Sequence, residues 1–155
     1  MMSFIYQIRE LQNGGEFVVL LFLAAWGNDT LAYCTGMLIG KHKMSPILSP
    51  KKSIEGLIGG IVGAAILGGL YGMYLNTYIR FSFNPVTMFP VICGLGGAVS
   101  VIGDLAASAI KRDSGIKDYG TLIPGHGGIL DRFDSIIFIA PVIYYLTVMI
   151  SGGAI

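Results

Sequence analysis

Residues 56–75 read GLIGGIVGAAILGGLYGMYL, 20 positions without one charged side chain. About 20 apolar residues is the length an α-helix needs to cross the hydrocarbon core of a bilayer. Working outward from this run, three more stretches approach that length. Residues 17–39 precede it and contain Asn28 and Asp29; residues 85–103 follow it, with the helix continuing through Asp104 to Ile110. Residues 136–150 form the last and shortest, with a helix expected to begin near Asp131. The whole chain of 155 residues is 54% hydrophobic and only 12% charged, where a soluble domain carries about 25% charged residues. Mean hydropathy is +0.72. These features predict an all-α, polytopic membrane protein, one transmembrane domain over residues 1–155 with about four transmembrane helices.

The basic residues predict its orientation. Lys41, Lys43, Lys51 and Lys52 lie between the first and second runs, and Lys111, Arg112, Lys117 and Arg132 between the third and fourth. Eight of the ten Lys and Arg thus fall in two loops, leaving Arg9 and Arg80 on the other side. By the positive-inside rule the loops at 41–55 and 111–134 are expected in the cytoplasm and both termini outside it. A chain that starts outside without a preceding span suggests helices upstream. The polar first 15 residues do not read as a cleavable signal peptide. Cys34 and Cys93 stand alone in apolar runs, without CxxC spacing, and are expected as small buried hydrophobes with no metal or disulfide role. Glycines spaced by four at 36/40, 56/60, 59/63 and 68/72 suit close helix packing within the chain rather than a dedicated dimer contact.

Two carboxylates fall inside the spans. An ionised side chain at the bilayer centre costs at least about 2.5–3.5 kcal/mol, so Asp29 and Asp104 should each face a polar cavity or a partner. On a helix Asp104, Ser108 and Lys111 share one face, with Arg112 following, and Asp29 shares a face with Tyr33 and Gly36. Beyond the third span come Lys117, Asp118, then Pro124-Gly125-His126-Gly127-Gly128, then Asp131, Arg132 and Asp134. Glycines at 125, 127 and 128 let backbone N–H groups approach a phosphate. Asp131 and Asp134, three apart at a helix start, offer hard oxygen ligands of the kind Mg²⁺ takes together with substrate phosphates. His126 between glycines reads as a hydrogen-bonding group rather than a ligand. By composition this is a polyphosphate and metal site at the membrane surface.

The segment from Ser108-Ala-Ile-Lys111-Arg112 through Lys117-Asp118-Tyr-Gly120 to Leu122-Ile-Pro124-Gly-His126-Gly127-Gly128-Ile-Leu-Asp131-Arg132-Phe-Asp134 resembles the signature of phosphatidate cytidylyltransferases. Asn28-Asp29-Thr30, Ala32-Tyr33, Gly36, Gly40-Lys41 and Ser49-Pro50-Lys51-Lys52-Ser53 resemble the family's other blocks, in the same order. Members are usually about twice as long, so the chain resembles their C-terminal half, with truncation at the N-terminus relative to the family expected. The resemblance implies transfer of a cytidylyl group from CTP to phosphatidic acid, giving CDP-diacylglycerol and pyrophosphate. It implies Mg²⁺ at Asp104, Asp131 and Asp134, with or without a second cation such as K⁺. Lys111 and Arg112 would act in catalysis on phosphates. Ser108, Lys117, Asp118, His126, Gly127, Gly128 and Arg132 would line the substrate site, joined by Asp29, Ser49, Lys51 and Lys52. The alternative for the basic residues at 51 and 52 is that they only anchor the adjoining span, and Glu55 suits the positive N-terminal end of that span. The expected setting is the inner (plasma) membrane, with no nucleic acid as partner, and with a homodimer or the missing helices supplied in trans. The rival reading is an inactive or accessory membrane fragment; a transporter is a third, disfavoured because ion carriers have no use for such a loop.

Overall fold

The computed structural model describes residues 3–45, 49–113 and 130–150. Helix α1 (Ser3–Glu10) leads through a turn at Asn13, which takes a left-handed conformation (φ 60°), into α2 (Gly14–Phe22). A π-helical turn at Leu23–Gly27 joins α2 to α3 (Asn28–Ile39), so one rod runs from Gly14 to Ile39. Then come a short antiparallel hairpin, β1 (Lys43–Ser45) with β2 (Ser49–Ser53), and the helices α4 (Ile54–Tyr78), α5 (Pro85–Asp113) and α6 (Leu130–Ile150). Among the described residues, Gly14–Ile39, Ile54–Tyr78 and Pro85–Asp113 are long and apolar enough to cross a membrane; the described apolar part of α6, Ser135–Ile150, is shorter. The fold is all-α and of membrane type, with one small hairpin inserted.

The apolar runs seen in the sequence extend further as helices. The first begins at Gly14, the second gains three residues at its C-terminal end, and the third continues to Asp113. Pro90 sits in the second turn of α5 and Pro141 inside α6, and both helices run through them. Helix α4 starts where Ser53 caps it, its hydroxyl accepting the Gly56 N–H at 3.1 Å. Glu55 does occupy the first turn of α4, but the capping hydrogen bond belongs to Ser53, and the Glu55 carboxylate turns to His42.

Lipid tails are as apolar as leucine, so membrane helices are held by close van der Waals packing more than by apolar burial as such. Helix α4 meets this demand with a buried ridge at every fourth position: Gly56, Gly60, Ala64, Gly68 and Gly72. Its first half lies on α3 and its second half on α5. A methyl at Gly60 would come within 2.8 Å of Asn28 Oδ1 and 2.9 Å of the Asn28 carbonyl; one at Gly68 would lie 2.7 Å from the Phe89 carbonyl. The spaced glycines thus serve packing within the chain, as expected. Opposite this ridge α4 exposes Ile58, Val62, Ile66 and Leu70, the face a lipid-bathed helix presents. Helices α2, α5 and α6 share the remaining core, in which Leu20, Leu21, Phe89, Ile92, Ile139 and Ile143 are fully buried. Phe17 packs against Phe81, Phe83 and Phe89 at the end opposite the hairpin.

Cys93 is buried in this core, as expected, but Cys34 is exposed. The reason is that α3 packs chiefly on α4 through Leu31, Ala32, Thr35 and Gly36, and position 34 falls on its outer side.

If the ridge holds the bundle together, Gly60→Leu should lower the unfolding midpoint of the detergent-solubilised protein, by an overpacking cost of about 1–3 kcal/mol. Gly15→Ala, where an added methyl meets nothing within 4 Å, should leave the midpoint unchanged or raise it. Equal midpoints for wild type and Gly60→Leu in a thermal melt would count against the ridge.

Candidate functional site

A cavity of about 560 Å³ lies where the hairpin folds over the ends of α3, α4 and α5. Asn28, Asp29, Tyr33 and Gly36 reach it from α3, Lys43 and Lys52 from the hairpin, and Val101 and Asp104 from α5. The two intramembrane carboxylates therefore line one space, Asp29 on its exposed side and Asp104 half-buried. Asp29, Tyr33 and Gly36 are one helical turn apart, which is why all three meet the same cavity.

Lys52 forms an ion pair with Asp104 across the cavity wall. A carboxylate held at membrane depth needs such compensation, and the hairpin supplies it. The base of the hairpin is fixed in three ways. The His42 ring Nδ1 lies 2.6 Å from Glu55 Oε1, and the His42 backbone N–H donates to the same carboxylate at 3.2 Å. The Ile54 N–H donates to the His42 carbonyl at 3.0 Å. The Ser53 hydroxyl is packed so closely that a methyl on Gly36 would lie 2.9 Å from it, and one on Gly40 2.6 Å. Glycine at 36 and 40 is thus what lets the strand reach back over α3.

Below the ion pair, Asn28 is fully buried, and among the described residues neither its amide oxygen nor its nitrogen has a hydrogen-bond partner; the Ser100 hydroxyl is in the same state. Methyls at Gly60 and Gly97 would lie 2.8 and 3.1 Å from Asn28 Oδ1, so two glycines make the space this amide fills. Ser100 is one turn before Asp104 on α5. Orphaned polar groups inside a helix bundle are costly, and each calls for an explanation. Asn28 also follows directly on the π turn at Leu23–Gly27, a distortion that often marks functional positions. Neither the buried amide of Asn28 nor Ser100 was expected from the sequence. The signal available was the pair Asn28-Asp29 in mid-span, but nothing in it says which side chain turns inward.

On α5 the stripe above Asp104 continues with Ser108 and Lys111, both half-buried, and then exposed Arg112. Ser49 and Lys51 lie on β2, and Asp131, Arg132 and Asp134 in the first turns of α6, but their side chains fall outside the described residues. Lys117, Asp118, His126, Gly127 and Gly128 also lie outside the described residues. Among the described residues no three His, Cys, Asp or Glu side chains come together as a metal site. Of the expected ligands only the Asp104 side chain is described, and it fits a cation: its hard carboxylate oxygen already holds the Lys52 ammonium.

Comparison with known sequences bears on what this cavity belongs to. The phosphatidate cytidylyltransferase of Staphylococcus aureus (strain COL) is 41% identical over 149 residues, covering 94% of this chain and 53% of the relative. That of Thermotoga maritima is 37% identical over 139 residues, covering 90% of this chain and 52% of the relative. That of Staphylococcus saprophyticus is 36% identical over 148 residues, covering 96% and 55%. The chain thus spans about half the length of the curated relatives it matches. Residues 1–150 match the sequence profile described as the cytidylyltransferase family, and with a match over nearly its whole length the chain belongs to that family.

Proposed function

We propose that the chain forms the catalytic half of a phosphatidate cytidylyltransferase, joining CTP and phosphatidic acid into CDP-diacylglycerol and pyrophosphate. The observation that carries this reading is the cavity in which Asp29, Asp104 and Lys52 meet. It lies under a basic hairpin, in a family whose similar members bear that enzyme's name. In the reaction a phosphate oxygen of phosphatidic acid attacks the α-phosphorus of CTP, and the bond to the β-phosphate oxygen breaks. The attacking phosphomonoester has a second pKa near 6, so it is already a dianion for the most part at neutral pH. The protein's task is then to hold two anions together and offset their charge. Lys111, Arg112 and Arg132 would bind phosphates, Arg through a bidentate fork. His126, Gly127 and Gly128 would shape the pocket around the triphosphate, with Ser108, Lys117 and Asp118 beside it. Ser49, Lys51 and Lys52 would present positive charge and a hydroxyl from the hairpin. Mg²⁺, held by Asp104, Asp131 and Asp134, would supply charge neutralisation on the triphosphate.

The protein would sit in the plasma membrane with the 41–55 and 111–134 loops in the cytoplasm, where CTP is found. Half-length coverage of the relatives favours one further reading, in which the chain works only with helices supplied upstream or in trans. Membranes containing the chain, alone and with the N-terminal half of a full-length relative, should be assayed for CDP-diacylglycerol made from CTP and phosphatidic acid with Mg²⁺. Product only in the second preparation identifies the half-enzyme; product in neither overturns the proposal.

Substitutions should separate two roles at the site. Asp104→Asn should remove nearly all turnover while the protein still inserts, and combining it with Asp131→Asn should cost little more, since residues acting through one metal fail together. Lys111→Ala should raise the CTP concentration needed and leave measurable turnover at saturation. A near-normal rate for Asp104→Asn would reduce that carboxylate to a structural role.

Orientation is tested by cysteine labelling in a chain freed of Cys34 and Cys93. A cysteine at Lys43 should react only from the cytoplasmic side and one at Asn84 only from outside. Labelling of positions 43 and 120 from opposite faces would refute the assigned topology.

A further inference from the structure

Lys52 and Asp104 stand 52 positions apart in the chain, one at the end of β2 and the other in mid-α5. Their side chains are 32% and 24% exposed, so the ion pair lies at the cavity wall and not in sealed core. The backbone that carries Lys52 is anchored by the His42–Glu55 contact and by the Ser53 cap on α4. The ammonium, in contrast, rides on a flexible four-carbon stem, beside a cavity of about 560 Å³ that leaves room for it to swing aside. A carboxylate at this depth cannot stand uncompensated. An ammonium and a divalent cation cannot both sit on the same carboxylate oxygen, because they would repel each other at contact distance.

We infer that Lys52 is a tethered cation that occupies Asp104 in the unloaded site and is displaced when a divalent ion binds there, which frees its ammonium to meet an incoming phosphate. The inference rests on the reading of Asp104 as a metal ligand. It gives the hairpin a purpose beyond anchoring the span: it keeps the intramembrane carboxylate neutralised between turnovers and delivers positive charge when the anions arrive. A purely structural strut would behave otherwise. Removing a strut would leave ion affinity unchanged or lower it, whereas removing a competitor must raise it.

The test is Mn²⁺ binding to the purified full chain in detergent, without nucleotide or lipid, followed by electron paramagnetic resonance of the free ion. Lys52→Met should bind Mn²⁺ about two- to fivefold more tightly, the range a half-exposed ion pair is worth; Lys52→Arg, which keeps the charge, should stay near wild type. If Lys52→Met does not purify folded, Lys52→Gln is read in the same way. Unchanged or weaker binding in the charge-removing variant overturns the inference. The wild-type chain gives a second reading: Mn²⁺ should increase acylation of the Lys52 amine by a water-soluble amine reagent, measured by mass spectrometry. Unaltered or reduced labelling also overturns it. Asp104→Asn distinguishes the two levels of the argument. If that variant binds Mn²⁺ as wild type does, or if wild type binds none, the metal-ligand reading falls and takes the inference with it. If Asp104→Asn binds weakly and Lys52→Met gains nothing, only the role of Lys52 fails.

Discussion

A ridge of four glycines and one alanine along α4 draws α3 and α5 against a single helix, and the cavity exists because of it. Where Gly56 and Gly60 let α3 approach, Asn28 and Asp29 are brought beside α5; where Gly68 and Gly72 admit α5, Asp104 is set at a fixed height opposite them. Dispersion between closely spaced backbones is the main attraction left when lipid replaces water around a bundle. The same small residues that hold the helices together leave no bulk to fill the space between their ends. Packing and cavity are two results of one sequence pattern.

Electrostatics then completes what packing begins. The hairpin is a minor element, with a three-residue and a five-residue strand, yet it brings a cation to Asp104. Its anchoring is local and polar: an imidazole against a carboxylate, a backbone hydrogen bond, and a serine cap shared with the start of α4. A segment pinned at its base and charged along its length is well suited to a surface where anions come and go.

Much of this was legible in the sequence. Four apolar runs became helices, the glycine spacing announced the ridge, and the carboxylates at 29 and 104, each expected to face a polar cavity or a partner, both line one cavity. The hairpin was not legible. Residues 43–53 include two prolines and no alternation of apolar and polar side chains, so the strand signal was missing. The pairing of Lys52 with Asp104 is a contact between distant positions that no local pattern encodes. The exposure of Cys34 and the burial of Asn28 share another cause. In a membrane helix both the packed face and the lipid face are apolar, so periodicity loses the contrast that marks inside from outside in a soluble helix.

The length of α5 carries its own consequence. Its 29 residues make a rod of about 43 Å, against a hydrocarbon layer of about 30 Å. Some two turns must therefore project past the tails at one or both ends, or the rod must lean. The helix carries Asp104 and, on the following turns, Ser108, Lys111 and Arg112, so it acts as a ruler that sets how high these groups stand relative to the lipid headgroups. Bilayer thickness then becomes a setting for the site itself: a change of a few ångströms in the tails moves the plane of the phosphates along a scale whose marks are fixed in the protein.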